Sequence, residues 1–365
     1  MPTSDEKRTL LSEERDPKES KHVLVIHGGA GTILRERSPP EQQARYHAAL
    51  RVALQAGNAI LSAGGEAMDA VVAAVSVMED NPLFNSGKGA VFNSAGFNEL
   101  EASLALSSPP ASHPYIPPSR RTLALTLLTR TRNPSQLARA LYLSPAAIPH
   151  PFLSGTPAED LGGLPLVDKS YFYTPARWRE HRRGLGLPEE EDARAGEGDE
   201  ERLLDMMPKG TVGAIALDVR GCIAVCTSTG GRTNKLPGRI GDTPHYGAGF
   251  WAEEWTVQRP WWAPRWWRSK VRAVGVSGTG DGDYFIRQNT AATLARRVQY
   301  LGEPLDRAAR WVVEALDKEH GAGGVIALDN EGNVATPLNC PGMYRGLVRG
   351  DGELKTAIFD DEVLE

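Results

Sequence analysis

The sequence is poor in cysteine, in long apolar runs and in any excess of basic residues. Its 365 residues include three cysteines, an odd and small number that argues against a disulfide framework. No apolar run approaches the length needed to span a bilayer, and residues 1–21 are densely charged without the apolar core of a signal peptide. These features predict a cytosolic protein whose residues 1–21 form a disordered tail.

Charge is nearly balanced, with a formal net charge of −5 and both signs interspersed. No basic surface favours nucleic acid, and no polybasic segment favours a membrane. Most of the eight tryptophans fall in a Trp/Arg-rich insertion at about 253–272. Such a segment has three alternative roles: stacking on nucleic-acid bases, binding to a membrane surface, or covering a subunit interface. The net acidity weighs against nucleic acid and favours packing on the protein itself or on a dimer partner.

The most informative stretch runs from Lys209 to Asp242. Two short runs rich in β-forming residues, 212–217 and 222–227, flank a turn-like break at 218–221. This spacing predicts a β-hairpin.

The hairpin begins at the pair Gly210-Thr211. A threonine hydroxyl is a poor nucleophile at its ordinary pKa, and a free α-amino group on the same residue can act as its base. That arrangement requires a cut before Thr211, and Gly210 permits the strained backbone that a self-cleaving bond would need. Taken alone, a Gly-Thr pair at the start of a strand is most often ordinary hairpin structure, so nucleophilic chemistry is a hypothesis here.

Two glycine-rich turns follow other predicted strands. His27–Gly31 does not have the spacing of a dinucleotide-binding or Walker loop, and we rate a packed core histidine above a catalytic role for His27. Thr279–Gly282 lacks the spacing and the terminal glutamate of a calcium-binding EF-hand loop.

Periodicity and capping signals predict helices at about 41–64, 67–80, 135–143 (with Asn133 as its cap) and 305–320, and a strand at 122–129. A proline-rich stretch at 107–121 predicts an exposed insertion. Periodicity fades after 153, which we interpret as an acidic, mobile linker over about 154–209.

Together these motifs resemble the plant-type L-asparaginase and isoaspartyl peptidase family of N-terminal nucleophile hydrolases. The resemblance covers about 23–102 and 210–345. It implies an α+β fold, a four-layer αββα sandwich, and self-cleavage between Gly210 and Thr211. A single domain would then consist of an α part, 22–210, and a β part, 211–365.

The resemblance also implies the catalytic roles. Thr211 would be the nucleophile with its own amino group as base, and Thr229 and Asn85 would lie beside it. Thr279 and the backbone of Gly280 would stabilise the tetrahedral oxyanion.

Substrate recognition is implied for the turn 239–242 and for the glycine-rich turn. Arg239 would pair with the substrate α-carboxylate, for which a planar guanidinium is suited, and Asp242 with its ammonium group. The other implied substrate-binding residues are Ile240, Gly241, Thr279, Gly280, Asp281 and Gly282. The implied substrates are β-aspartyl dipeptides and L-asparagine, with no cofactor for catalysis and a homodimer of processed αβ units.

A structural Na⁺ is implied as well, held by backbone carbonyls, which suit a hard cation. The residues that would supply them are Met78, Glu79, Asn81, Phe84, Ser86 and Lys88.

The chain departs from the family pattern after Glu99. Relatives usually have Glu-x-Asp-Ala here, whereas this chain has Glu99-Leu-Glu101-Ala, followed by the proline-rich insertion. Three alternatives therefore stay open: a glycosylasparaginase-like hydrolase, a threonine-aspartase-like hydrolase, and a non-catalytic scaffold that binds partners through the Trp/Arg-rich insertion.

Overall fold

A computed structural model describes residues 22–188, 210–258 and 269–364. The predicted tail at 1–21 and the centre of the Trp/Arg-rich insertion, 259–268, lie outside the described residues. The strands are β1 (Val23–Gly31), β2 (Leu100–Leu106), β3 (Thr122–Leu128), β4 (Phe152–Ser154), β5 (Val212–Leu217), β6 (Ile223–Thr229), β7 (Phe250–Val257), β8 (Lys270–Gly280), β9 (Gly323–Asp329), β10 (Val334–Ala335), β11 (Gly342–Arg349) and β12 (Lys355–Phe359). The α-helices are α1 (Pro40–Ser62), α2 (Ala67–Glu79), α3 (Pro134–Tyr142), α4 (Gly155–Leu161), α5 (Pro175–Gly184), α6 (Gly282–Gln288), α7 (Thr290–Leu301) and α8 (Leu305–Lys318).

The strands form two sheets. The larger has the order β12-β11-β1-β5-β6-β2-β3-β4, and the smaller has the order β10-β9-β8-β7. The predicted hairpin is confirmed: β5 pairs antiparallel with β6, and Gly221 adopts a φ of +88° in the turn between them. The carboxylate of Asp218 accepts the backbone N–H groups of Arg220 and Cys222, which closes that turn.

Three clusters of buried hydrophobic side chains lie between the layers of helices and sheets. The first lies between α1–α3 and one face of the larger sheet, the second between the two sheets, and the third between the smaller sheet, α7 and α8. Strand β5 alternates between the first two clusters, with Ala214 on the helix side and Ile215 between the sheets. Because side chains alternate along a strand, every second residue of β1, β5, β6 and β8 points into the space between the sheets.

The predicted helices at 41–64, 67–80, 135–143 and 305–320 are observed with small shifts of their ends. Asn133 occupies the predicted N-cap position of α3, but its side chain makes no capping bond. Instead, the buried carboxylate of Glu79 accepts the backbone N–H of Ser135 at 2.9 Å and its hydroxyl at 2.7 Å. The first turn of α3 is thus capped by a residue from α2, which is distant in the sequence.

The linker predicted for 154–209 is wrong in its first half, where α4 and α5 form. These helices are held by polar contacts, which leave no apolar periodicity in the sequence. Glu159 accepts the backbone N–H groups of residues 129–131. Arg177 is buried, and its Nε donates to the carbonyl of Gly89 at 2.8 Å. Residues 189–209 lie outside the described part of the chain.

The two predicted insertions are both tied to the fold. The described flanks of the Trp/Arg-rich insertion extend β7 and β8, which stay paired as far as Val257 and Lys270. In the proline-rich insertion, Arg120 is buried and donates to the carbonyls of Ile148 and Leu141. Within the three described ranges, no helix is long and apolar enough to cross a membrane.

Candidate active site

Thr211 lies at the start of β5, one residue before its first paired position, and is 8 % exposed. Its Oγ1 is 3.3 Å from Oγ1 of Thr243, which is also buried. Sequence reasoning missed Thr243. The one available signal was its position directly after Asp242.

The peptide bond before Thr211 packs tightly against β1. Strand β1 has a bulge between His27 and Ala30, and Gly29 there has a φ of +113°. A Cβ atom on Gly210 would lie 2.5 Å from the backbone nitrogen of Ala30, 2.6 Å from Cα of Gly29 and 2.7 Å from Oγ1 of Thr279. Only glycine fits at position 210 without moving the backbone.

His27 fixes the main-chain carbonyl of Thr211. Its Nδ1 donates to the Thr211 carbonyl at 2.9 Å, and its Nε2 is 2.6 Å from Oγ of Ser277. Burial lowers the pKa of His27 to about 3, so the ring is neutral and Nε2 accepts from the Ser277 hydroxyl. This is the packed, hydrogen-bonded histidine expected from the sequence, and it joins the two sheets beside Thr211.

Thr229 and Asn85 meet at the end of β6. Oγ1 of Thr229 accepts the Gly231 N–H at 3.0 Å, and Nδ2 of Asn85 donates to the Gly231 carbonyl at 2.7 Å. The Gly230 N–H donates to the Asn85 carbonyl at 3.0 Å. The loop of Asn85 is therefore fastened to the segment that follows Thr229.

Thr279 and Gly280 end β8 close to Gly210. Oγ1 of Thr279 accepts the Ala30 N–H at 3.2 Å, which leaves its hydroxyl hydrogen for another acceptor. Gly280 has a φ of +145°, and a Cβ atom there would overlap the carbonyl of Ala322. The backbone of this turn is thus held in a conformation that favours glycine.

Asp242 is buried against the same turn. A Cβ atom on Gly282 would overlap its Oδ1, and its Oδ2 has no hydrogen-bond partner among the described residues. Burial, and after it the charge of Glu101, raises the pKa of Asp242 to about 7. The structure thus brings the 239–242 and 279–282 motifs together.

The predicted binding residues Arg239, Ile240 and Asp281 are partly or fully exposed. Nη2 of Arg239 lies 2.7 Å from Oδ1 of Asp283, and the Arg239 side chain is 23 % exposed. Asp281 accepts the Ala322 N–H, so its carboxylate closes its own turn. Ile240 is partly exposed.

Two buried charged residues border this turn. Oε1 of Glu101 accepts the Gly241 N–H at 2.8 Å, and Nζ of Lys235 donates to the carbonyl of Glu99 at 2.7 Å. Burial raises the pKa of Glu101 and lowers that of Lys235. Sequence reasoning noticed Glu101 as a departure and missed Lys235, although it lies within the central motif.

The loop proposed to hold Na⁺ gathers carbonyl oxygens around two glycines. A Cβ on Gly87 would overlap the carbonyl of Glu79, and one on Gly89 would overlap that of Phe84. The carbonyls of Met78, Asn81 and Ser86 accept N–H groups within the loop, and the Lys88 ammonium donates to the Tyr171 carbonyl. Across the described ranges, no cluster of three or more His, Cys, Asp or Glu side chains is suited to a metal.

Comparison with known proteins gives consistent matches. A family model described as asparaginase matches residues 20–258 and 269–358. The chain is 38 % identical over 331 residues to an isoaspartyl peptidase of Salmonella typhimurium, covering 89 % of this chain and 95 % of that protein. It is 37 % identical over 329 residues to an isoaspartyl peptidase of Escherichia coli, covering 89 % and 92 %. It is 31 % identical over 356 residues to a probable isoaspartyl peptidase/L-asparaginase of Arabidopsis thaliana, covering 93 % and 99 %. Because the family model spans most of the chain, including the positions of the threonines and of the turn 239–242, and these relatives are 31–38 % identical to it, the protein belongs to the asparaginase family.

Proposed function

We propose that this chain cleaves itself between Gly210 and Thr211 and then hydrolyses β-aspartyl dipeptides and L-asparagine. The observation that carries the proposal is the packing of Gly210 between the β1 bulge and Thr279. The next residue, Thr211, contacts Thr243, which directly follows the turn 239–242. The names of the relatives, isoaspartyl peptidase and isoaspartyl peptidase/L-asparaginase, support this substrate class.

Self-cleavage would begin with attack of the Thr211 hydroxyl on the Gly210 carbonyl carbon. The C–N bond breaks as the C–O bond forms, and the hydroxyl proton passes to the nitrogen, which becomes a free amine. Water then hydrolyses the ester, giving a Gly210 carboxylate and restoring the Thr211 hydroxyl. The neutral His27 ring would hold the Thr211 carbonyl in place during both steps.

Substrate hydrolysis would use the amine so released as the base for the Thr211 hydroxyl. Attack on the side-chain amide carbon gives a tetrahedral oxyanion, to which the Thr279 hydroxyl and the Gly280 N–H would donate. The leaving nitrogen takes the proton and departs as ammonia or as the amine of an amino acid. Water then releases aspartate from Thr211.

The clamp for the substrate would be Arg239 for the α-carboxylate and Asp242 for the ammonium group. The Arg239–Asp283 contact holds the guanidinium group in a partly exposed position. There the planar group can bind a carboxylate through two parallel hydrogen bonds. The buried Oδ2 of Asp242, without a partner among the described residues, is suited to accept from an ammonium group.

Arg239→Lys should raise KM for L-asparagine by about tenfold to hundredfold while kcat changes little. The variant keeps the charge and loses the two parallel bonds, and hydrogen bonds to charged groups contribute about 1.5–3 kcal/mol. Steady-state kinetics of the processed enzyme measures the effect. Arg287→Lys is the matched control, because the Arg287 side chain is 71 % exposed and pairs with Glu319 on the surface. An unchanged KM in Arg239→Lys would remove Arg239 from the clamp.

The finer architecture belongs to the same proposal. One buried cluster lies between helices and the larger sheet, one between the two sheets, and one between the smaller sheet and helices. This arrangement supports a four-layer αββα sandwich. Pairing of two processed units and a cytosolic location stay predictions.

We propose that the loop after α2 holds a structural Na⁺. The close approach of carbonyls to Gly87 and Gly89 supports an oxygen-rich cradle, which suits a hard cation. The carbonyls that would hold it are those of Met78, Glu79, Asn81, Phe84, Ser86 and Lys88. The ion would stiffen the loop that carries Asn85.

The test of function is an assay of the purified chain. On a denaturing gel we expect two fragments, with mass spectrometry giving a junction at Gly210/Thr211, together with release of aspartate from a β-aspartyl dipeptide and from L-asparagine. Cleavage of glycosylated asparagine alone, or of one protein partner alone, would assign the chain to the alternative hydrolases. A chain that stays intact and hydrolyses none of these would favour the binding scaffold.

A further inference from the structure

Glu101 stands where the family pattern usually has aspartate, and its side chain reaches the clamp. In the register of β2 and β6 it lies directly opposite Thr229. It is on the same face of β2 as Ser103 and Ala105, two and four residues on, and Ala105 belongs to the cluster between the sheets. Glu101 therefore enters the active-site end of the inter-sheet space, where it is 1 % exposed.

Only one of the two Glu101 carboxylate oxygens makes a hydrogen bond to a described residue. Oε1 accepts the Gly241 N–H at 2.8 Å, which holds the turn between Arg239 and Asp242. Oε2 is buried and makes no hydrogen bond to any described residue. A Cβ atom on Gly241 would lie 3.1 Å from this Oε2 and 2.8 Å from Nη1 of Arg239, so the free oxygen borders the predicted binding residues.

The nearby cations have other partners. Lys235 donates to the Glu99 carbonyl, and Arg239 contacts Asp283 at the start of α6. His245, after the turn, bonds to the Gly241 carbonyl through Nδ1. Asp242 meanwhile presents a second buried oxygen without a partner in the described structure. Two buried carboxylates that lie near enough to interact, each with one oxygen that lacks a donor, are costly unless a ligand supplies donors.

We propose that Glu101 is a specificity-determining residue that binds the substrate α-ammonium group together with Asp242. The inference rests on the proposed function and deepens it. An ammonium group offers three donors; the free oxygen of Glu101 lies against Gly241 and Arg239, and the free oxygen of Asp242 belongs to the residue next to Gly241. A substrate without the ammonium group would leave both oxygens unpaired, so the pocket would reject it more strongly than a pocket with one carboxylate.

The experiment compares L-asparagine with succinamic acid, the same molecule without its α-amino group. Glu101→Gln keeps the acceptor for the Gly241 N–H and removes the charge. With the processed enzyme we expect KM for L-asparagine to rise about tenfold or more, with kcat within about threefold. The ratio of kcat/KM for L-asparagine to that for succinamic acid should fall about tenfold. Glu314→Gln, the same change at an exposed position of α8, should leave this ratio within about twofold of wild type.

The pH dependence of KM supplies a second readout. Because the Glu101 charge helps to raise the pKa of Asp242 to about 7, the wild-type KM should rise as pH falls below about 7 and Asp242 is protonated. In Glu101→Gln this rise should begin at lower pH. The groups that face Asp242 are Glu101, Arg239 and Asp283.

A normally processed Glu101→Gln enzyme with an unchanged substrate ratio would overturn the inference and leave Glu101 only holding Gly241. Should Glu101→Gln fail to process, Glu101→Asp decides, since it keeps the charge and shortens the reach by one methylene. A ratio lowered at least about threefold supports the inference, and an unchanged ratio overturns it. Wild-type chain inactive on both compounds would contradict the proposed function itself, which is a separate outcome.

Discussion

Thr211→Ala is expected to remain a single intact chain with no measurable hydrolysis of β-aspartyl dipeptides. The variant loses the hydroxyl that would attack Gly210 and later the substrate. Removing a nucleophile commonly lowers kcat by at least about 10⁴-fold. A denaturing gel after prolonged incubation and an aspartate-release assay measure the two effects.

Thr211→Ser is the matched comparison, because serine keeps the hydroxyl and would keep the free amine after cleavage. It should process, more slowly than wild type, and retain activity. Thr211 is 8 % exposed and Ala214 and Ile215 behind it are fully buried, so neither change should unfold the chain. Cleavage at Gly210/Thr211 in the alanine variant would contradict the assigned nucleophile.

Gly210→Ala is expected to block maturation while Thr211 keeps its hydroxyl. The added methyl group would lie within 2.7 Å of Ala30, Gly29 and Thr279, two of these contacts being to backbone atoms that have little freedom to move. The scissile carbonyl would be displaced from the hydroxyl, and misplacement by about 1 Å can cost about 10²-fold in rate. The fraction of cleaved chain over time, followed on a gel, measures the block.

Gly352→Ala is the control for a Gly→Ala change. Gly352 lies in an exposed turn with a φ of +78°, and an added methyl group there has no heavy atom within 4 Å. It should process at the wild-type rate. Normal processing of Gly210→Ala would show that crowding by the β1 bulge does not set the geometry of the scissile bond.

The hairpin and the long apolar helices could be predicted because their signals are local. β5 and β6 show short runs of β-forming residues around a turn, and α2 is apolar on most of its faces. The candidate site could be predicted for the same reason, since Gly210, Arg239 and Asp242 fall within one short stretch of the sequence.

What escaped prediction depends on contacts between distant residues. Glu79 caps α3 from another helix, and α5 is anchored by the buried Arg177. Neither contact leaves a periodic pattern. Thr243 and the free oxygen of Glu101 become visible only when the turn after β6 folds back onto β2.

The strand order of the larger sheet has a consequence for the processed protein. β1 lies between β11 and β5, and β2 pairs with β6, so strands from before and after Gly210-Thr211 are interleaved in the larger sheet. The Glu180–Thr233 and His181–Asn234 hydrogen bonds also cross the cut. Cleavage would therefore give two polypeptides, neither of which holds the complete larger sheet. Folding, a unimolecular event before cleavage, would become a bimolecular one afterwards, and the mature enzyme would be preserved by slow unfolding rather than by ready refolding.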